Sequence, residues 1–128
     1  MTMMYTYDQK SGLFLTPGGD VLTTGYSGRG QGRNNPLFQN VKNVGPAPRG
    51  YCKMLPGITH PKLGPIAIQI IYLTEDGSML KLLNGRSEFF IHGDNTAHDA
   101  SLGCIILNRT AREYINKDIT KASFLEIM

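Results

Sequence analysis

The chain has 128 residues, 41% of them hydrophobic and 18% charged, with a formal net charge of +3. This composition is ordinary for a soluble globular protein, and the length fits one domain with a buried core, so we expect a single domain over residues 1–128. The basic residues are scattered, no recognition helix or aromatic RNA-binding motif is present, and no apolar run approaches the length of a membrane span. We therefore expect neither nucleic-acid binding nor membrane insertion.

Glycine and proline residues, 15 and 7 in number, are spread through the first two thirds of the chain and indicate many turns between short strands. Segment 25–43 is too rich in glycine and asparagine for regular structure, so we expect a long loop that lines a cleft. One helix is predicted over 110–117, with Asn108 or Thr110 as its N-cap. The fold class is therefore mainly β with one short helix. The predicted strands include 4–8, 12–16, 21–24, 51–54, 66–73, 79–83, 89–92 and 122–127.

Two apolar runs carry a reactive side chain at one polar end. His92 ends the run that begins at Phe89, and Cys104 directly precedes the run that reaches Leu107. If the two runs are neighbouring strands, the imidazole can meet the thiol. A thiol with a pKa of about 8.5 is mostly protonated at neutral pH, so an imidazole that accepts its proton supplies the nucleophilic thiolate. We expect Cys104 to be the nucleophile and His92 its general base.

The turn before Cys104 combines small residues in a way that suits a catalytic cysteine. Gly103 permits backbone torsions closed to other residues and lets a carbonyl substrate approach the main chain, so the amides of Gly103 and Cys104 are candidate oxyanion donors. Ser101 either hydrogen-bonds within the site or fills the turn. Asp94 or Asp99 can orient an imidazole by accepting its second N–H, although both residues are equally suited to turns.

The motifs His92-Gly93-Asp94 and Ser101-x-Gly103-Cys104-Ile105 resemble the signature of L,D-transpeptidase catalytic domains. Three upstream blocks, 26–30, 34–39 and 45–51, are similar to the compact branch of that superfamily used as type VI secretion effectors against rival bacteria. The resemblance implies a compact β-sandwich or barrel domain. It also implies cysteine-dependent L,D-carboxypeptidase and L,D-transpeptidase activity on the tetrapeptide stems of peptidoglycan, with exchange of terminal D-amino acids, and this chemistry needs no cofactor and no metal.

Two positions depart from the wider superfamily. The cell-wall enzymes carry a second histidine where this chain has Leu102, and an arginine soon after the cysteine, for which this chain offers only Arg109. The effector branch shares the Ser-x-Gly-Cys form. The residues that the resemblance suggests for substrate binding are Tyr26, Ser27, Gly28, Asn34, Asn35, His98 and Arg109.

Each of these assignments has an alternative. Cys104 can be a buried structural thiol or pair with Cys52 in a disulfide, and His98 can replace His92 as the base. A zinc site of Cys104, His92 and His98 is disfavoured because the chain lacks the paired ligand motifs of most zinc proteins. A different class of function is a non-catalytic module that binds the cell wall with the same fold.

The first residues lack the basic and apolar regions of a signal peptide. We therefore expect a protein made in the cytoplasm without a signal peptide, secreted, and active in the periplasm of target bacteria. Its expected partners are peptidoglycan stem peptides, a cognate immunity protein and a component of the secretion apparatus.

Overall fold

The computed structural model describes residues 3–82 and 85–128. Its strands are β1 (Met4–Tyr7), β2 (Leu13–Leu15), β3 (Val21–Thr24), β4 (Tyr26–Ser27), β5 (Gly50–Met54), β6 (Ile58–His60), β7 (Gly64–Leu73), β8 (Phe90–His92), β9 (Ile105–Ile106) and β10 (Phe124–Ile127). The described residues form one α-helix, α1 (Arg109–Asp118), and two short 3₁₀ helices, Gly30–Gly32 and Pro36–Phe38. The prediction of a mainly β fold with one short helix is confirmed.

The strands follow one hydrogen-bonded path in the order β3-β2-β1-β10-β5-β7-β8-β9-β4, with β6 added on β7. The pairs β1–β10 and β8–β9 are parallel, and the remaining pairs are antiparallel. The ten-residue β7 is long enough to pair with β6 through residues 64–67, with β8 through Ile68 and Gln69, and with β5 through residues 70–73. Its β-branched residues favour a strand. Because β7 lies between β5 and β8, it connects the strands β1, β2, β3, β10 and β5 to the strands β8 and β9 that carry the site.

The hydrophobic core lies between the sheet and α1. On β1 the side chains alternate, so Tyr5 and Tyr7 both point inward and pack on Phe14 with ring centroids 5.9 and 6.1 Å away. Fully burying a side chain such as Ile115 or Leu125 stabilises the fold by about 1.5–3 kcal/mol relative to leaving it exposed. The core therefore holds β1, β10 and α1 together.

The helix begins where the sequence predicted a cap. The side chain of Asn108 accepts a hydrogen bond from the amide of Ala111 at 2.8 Å, which satisfies one of the first amides of α1. Ala111 and Ile115 are buried four residues apart, so one helical face packs against the sheet. Of the two predicted caps, Asn108 is the one used.

The structure corrects two predicted segments. The strand predicted for 79–83 is wrong over its described part, because Met79 makes only an isolated bridge to Leu73, and Leu83 lies outside the described residues. The loop 25–43 holds β4 and both 3₁₀ helices, and its last two residues, Lys42 and Asn43, line the cleft described below. Across the described ranges, no helix has the length and apolar character needed to cross a membrane.

Candidate active site

The parallel pair β8–β9 brings the two apolar runs side by side. Ile91 pairs with Ile105, and Cys104 stands one residue before β9, where its Sγ accepts a hydrogen bond from the amide of Phe90 at 3.3 Å. Because side chains alternate along a strand, His92 lies on the same face as Phe90, and both residues line the cleft that contains Cys104. His92 and Cys104 both line a cleft of about 350 Å³. The condition that the two runs be neighbouring strands is therefore met.

The imidazole of His92 is buried and held by the main chain. Its Nδ1 lies 2.8 Å from the carbonyl oxygen of Gly93, and a carbonyl can only accept, so the neutral ring carries its proton on Nδ1 and leaves Nε2 as an acceptor. Burial lowers the pKa of His92, and the positive charge of Arg112 lowers it further, whereas the Gly93 carbonyl opposes them. His92 is therefore a neutral imidazole at neutral pH, the form that can take a proton.

The thiol of Cys104 is in a mixed environment. Burial raises its pKa, while the amide of Phe90 and the guanidinium of Arg86 lower it without cancelling the effect of burial. The resting side chain at neutral pH is therefore a protonated thiol. An adjacent base promotes its ionisation, and His92 is a neutral base in the same cleft.

Ser101 organises the turn before the cysteine. Its hydroxyl donates to the carbonyl of Cys104 at 2.6 Å and accepts from the amides of Gly28 at 2.8 Å and Gly103 at 3.1 Å. These three bonds use the full capacity of the hydroxyl, and the side chain is completely buried. Ser101 thus fixes the backbone on either side of Cys104 by hydrogen bonds. The amide of Gly103, expected as an oxyanion donor, points to Ser101 instead.

Gly103 has a backbone requirement of its own. Its φ of 137° lies in a region that side chains rarely adopt, and a Cβ at this position would collide with the guanidinium of Arg86 and the ring of Phe89. Only glycine fits this turn. The sequence predicted torsions closed to other residues at this position, and the observed φ confirms them.

Five residues expected to bind substrate are hydrogen-bonded within the scaffold around the site. Ser27 is fully buried and donates from Oγ to the carbonyl of Gly103 at 3.0 Å, while the side chain of Asn34 accepts from the amide of Ser27 at 3.0 Å. Asn35 caps the second 3₁₀ helix by accepting from the amide of Leu37 at 3.1 Å. The described lining of the cleft includes none of the five, which are Tyr26, Ser27, Gly28, Asn34 and Asn35.

Asp94 orients an imidazole, but it is that of His98. Its carboxylate accepts from the hydroxyl of Tyr26 at 2.6 Å and lies 2.8 Å from Nδ1 of His98. Although its slight burial opposes the effect, the hydrogen bonds from Tyr26 and His98 lower the pKa of Asp94. Burial and the bond to Asp94 in turn raise the pKa of Tyr26 to about 12. The expected pairing of Asp94 with the base thus holds for the alternative base His98, whose side chain is 73% exposed.

The remaining expected residues lie on other surfaces. Arg109 forms an exposed ion pair with Glu113 along α1 at 3.0 Å, and Asp99 accepts from the side chain of Asn95 at 2.8 Å. Both cysteines are free thiols, so the pairing of Cys52 with Cys104 is absent from the structure. Within residues 3–82 and 85–128, no group of three His, Cys, Asp or Glu residues is arranged to hold a metal ion.

Sequence reasoning missed the cationic groups of the cleft. Arg86 lies in its wall, and Lys42 and Lys62 also line it, accompanied by Glu88. A second buried guanidinium, that of Arg112, packs against Gly93. A Cβ added to Gly93 would lie 2.7 Å from Nη2 of Arg112. These side chains come from four separate segments of the chain, so no local spacing in the sequence links them to the nucleophile.

A family model described as the Tlde1 domain matches residues 22–127. The chain belongs to the Tlde1 domain family. The Tlde1 match spans the whole site, from the scaffold residues around Tyr26 to the turn at Cys104, and the family is one of type VI secretion effector toxins. No curated protein and no solved structure matches the chain at a significant level.

Proposed function

We propose that this Tlde1 protein is a cysteine L,D-carboxypeptidase and L,D-transpeptidase that acts on the tetrapeptide stems of peptidoglycan. The observation that carries the proposal is the placement of a neutral His92 and the Cys104 thiol in one cleft by adjacent parallel strands. The stem peptide as substrate rests on the resemblance of the His-Gly-Asp and Ser-x-Gly-Cys motifs to L,D-transpeptidases. Membership in an effector family supports a toxin aimed at the cell wall of rival bacteria.

The reaction begins with transfer of the Cys104 proton to Nε2 of His92. The sulfur attacks the carbonyl carbon of the third stem residue, and the bond from that carbon to the nitrogen of the terminal D-alanine breaks. The imidazolium returns its proton to the departing amine, which leaves a thioester on Cys104. Because the surroundings lower the pKa of His92, its imidazolium is a stronger acid than an ordinary one, which favours protonation of the leaving amine.

The acyl acceptor decides the product. Water gives a tripeptide stem, a free D-amino acid gives an exchanged stem, and an amine of a second stem gives a crosslink. The cleft of about 350 Å³ is small, so we expect hydrolysis and exchange to exceed crosslinking. The lysines at its wall, Lys42 and Lys62, suit a substrate that carries free carboxylates.

We also propose the cellular setting. The effector is made in the cytoplasm, delivered by a secretion apparatus with which it interacts, and acts in the periplasm of the target. A cognate immunity protein protects the producer. Membership in the effector family supports these proposals.

One observation favours a second candidate, a non-catalytic module that binds the cell wall. Burial raises the pKa of Cys104, as it does for many structural thiols. Such a module would bind peptidoglycan without changing it, whereas the proposed enzyme converts tetrapeptide stems to tripeptides.

The test is incubation with purified disaccharide tetrapeptide, followed by mass spectrometry of the products. The wild type should release D-alanine and form the tripeptide, and Cys104→Ala should form neither because it lacks the nucleophile. Cys52→Ala is the matched control, since Cys52 is completely buried on β5 outside the cleft lining, and it should retain turnover. Intact tetrapeptide after incubation with a wild type that binds it would favour the binding module.

A further inference from the structure

Arg86 is a buried cation, and its hydrogen-bonding partners among residues 3–82 and 85–128 are main-chain carbonyls. Only 5% of the residue is exposed. Its Nη1 donates to the carbonyl oxygens of Gln39 at 2.7 Å and Pro46 at 2.9 Å, and its Nη2 donates to those of Gly45 at 3.0 Å and Leu102 at 3.3 Å. The ion pairs found in the described part of the chain involve Arg29, Arg109 and His98, and none involves Arg86.

A buried guanidinium without a carboxylate is costly, because carbonyl dipoles replace water only in part. Burial lowers the pKa of Arg86, which is the sign of that cost. The position of Arg86 places its positive charge next to the turn that carries Cys104. The guanidinium reaches the carbonyl of Leu102, leaves no room for a Cβ on Gly103, and lines the same cleft as the Cys104 thiol.

We propose that Arg86 is a positioning residue of the active site, which fixes the 102–104 turn and stabilises the thiolate of Cys104 by its positive charge. The inference rests on the proposed function, because a thiolate matters only if Cys104 is a nucleophile. The lowering effect of Arg86 on the pKa of Cys104, opposite to that of burial, agrees with this geometry. When His92 takes the proton of Cys104, the resulting thiolate supplies the negative charge that balances the buried guanidinium of Arg86.

A purely structural role is the alternative, since Arg86 also ties segment 39–46 to the turn. Arg112 provides the matched control for that role. It too is buried and donates to carbonyl oxygens, those of Leu107 at 3.0 Å, Pro65 at 2.7 Å and Ile66 at 3.3 Å. Its charge acts on His92, whereas that of Arg86 acts on Cys104. Replacing either arginine removes buried hydrogen bonds to main-chain carbonyls. Only the replacement of Arg86 also removes a positive charge that lowers the pKa of the Cys104 thiol.

Other charged or titratable groups near the thiol must be considered in a pH experiment. They come from each element around the cleft: Tyr72 of β7, His60 of β6, His92 of β8, and the loop residues Lys42, Lys62, Arg86 and Glu88. All except the replaced residue are the same in the compared proteins. A difference in the pH midpoint of Cys104 alkylation between wild type and Arg86→Gln therefore measures the effect of the guanidinium.

The experiment is the pH dependence of alkylation of Cys104 by iodoacetamide, followed residue by residue by mass spectrometry. In Arg86→Gln the midpoint should rise by about one pH unit or more, and the rate at pH 7.5 should fall about tenfold or more. Arg86→Lys keeps the charge and should lie nearer to the wild type. Arg112→Gln should not raise the midpoint. An unchanged midpoint in folded Arg86→Gln, or an equal rise in Arg112→Gln, would overturn the proposal.

A second measurement leaves Arg86 in place in case its replacement prevents folding. The side-chain ¹⁵N resonances of Arg86 in the wild type should titrate with the midpoint of Cys104 alkylation, and in Cys104→Ala they should not. The absence of that titration in the wild type would also overturn the proposal. Neither measurement uses peptidoglycan, so failure of the protein to cleave stem peptides would refute the proposed function and leave these results interpretable.

Discussion

The carbonyl oxygen of Gly93 lies 2.8 Å from Nδ1 of His92, so the residue that follows the base is also the one that orients it. In many triads a carboxylate takes this place. A carbonyl fixes the tautomer equally well but contributes no full negative charge to stabilise an imidazolium. This difference agrees with the direction in which the surroundings move the pKa of His92, which is downward.

Replacing the base should remove most of the activity. His92→Asn keeps a polar group of similar size but cannot carry the proton, so kcat/KM for tetrapeptide cleavage should fall by about 10²–10⁴-fold. His98→Asn is the matched control. Its ring is exposed and bonded to Asp94, so we expect a milder loss. A severe loss in His98→Asn with His92→Asn spared would transfer the role of base to His98.

The pH profile of the activity follows from the lowered pKa of His92. A base with a depressed pKa stays neutral in more acidic solution, so the acid limb of kcat/KM should lie below the ordinary histidine value of about 6.5. The same shift makes folding weaker in acid, because the unfolded state binds the proton more readily and stability is lost as the pH falls below about 6.5. Measuring kcat/KM between pH 4 and 9 checks this prediction. An acid limb centred above pH 7 would contradict it.

Cys52 should make folding sensitive to alkali. Burial raises the pKa of its thiol to about 12, compared with about 8.5 in an unfolded chain, so the unfolded state ionises first and stability is lost as the pH rises above about 8.5. Between pH 7 and pH 10 this amounts to about 2 kcal/mol. Urea unfolding of the wild type and Cys52→Ala at both values isolates the effect, because the buried tyrosines are common to both proteins. Equal losses in the two proteins would refute the assignment to Cys52.

The sequence predicted the parts of the site that depend on local pattern. Two apolar runs, one ending in a histidine and one preceded by a cysteine, predicted two strands with a reactive residue at one end, and Asn108 was recognisable as a helix cap. The environment of Arg86 could not be predicted in this way, because its partners are main-chain carbonyls of residues 39–46 and 102, which any residue type supplies. The residue types at these positions therefore do not indicate that their carbonyls bind Arg86.

The residues expected to bind substrate illustrate a related point. Tyr26, Ser27 and Asn34 were expected to face substrate because they lie in blocks that resemble the effector family. In the structure Ser27 donates to the carbonyl of Gly103 and Asn34 accepts from the amide of Ser27, whereas Tyr26 donates to Asp94. A motif identifies which residues belong to a site, but it does not separate those that touch the ligand from those that hold the site in shape.

The compartment of action can be tested in living cells. Because the proposed substrate lies outside the cytoplasmic membrane, expression in the cytoplasm should be tolerated, whereas fusion to an export signal should harm the host. Growth curves and viable counts give the measurement. Exported Cys104→Ala should be harmless, and exported Cys52→Ala should remain toxic. Toxicity confined to cytoplasmic expression would point to an intracellular target.

The central claim is that Cys104 forms a thioester with the third residue of the stem peptide. Intact-protein and peptide mass spectrometry during turnover of a tetrapeptide stem tests it most directly. The account predicts an acyl adduct on Cys104, loss of D-alanine, and replacement of that residue by D-methionine when this amino acid is added. An unmodified Cys104 combined with cleavage of pentapeptide stems between their two terminal D-residues, while tetrapeptides stay intact, would contradict it.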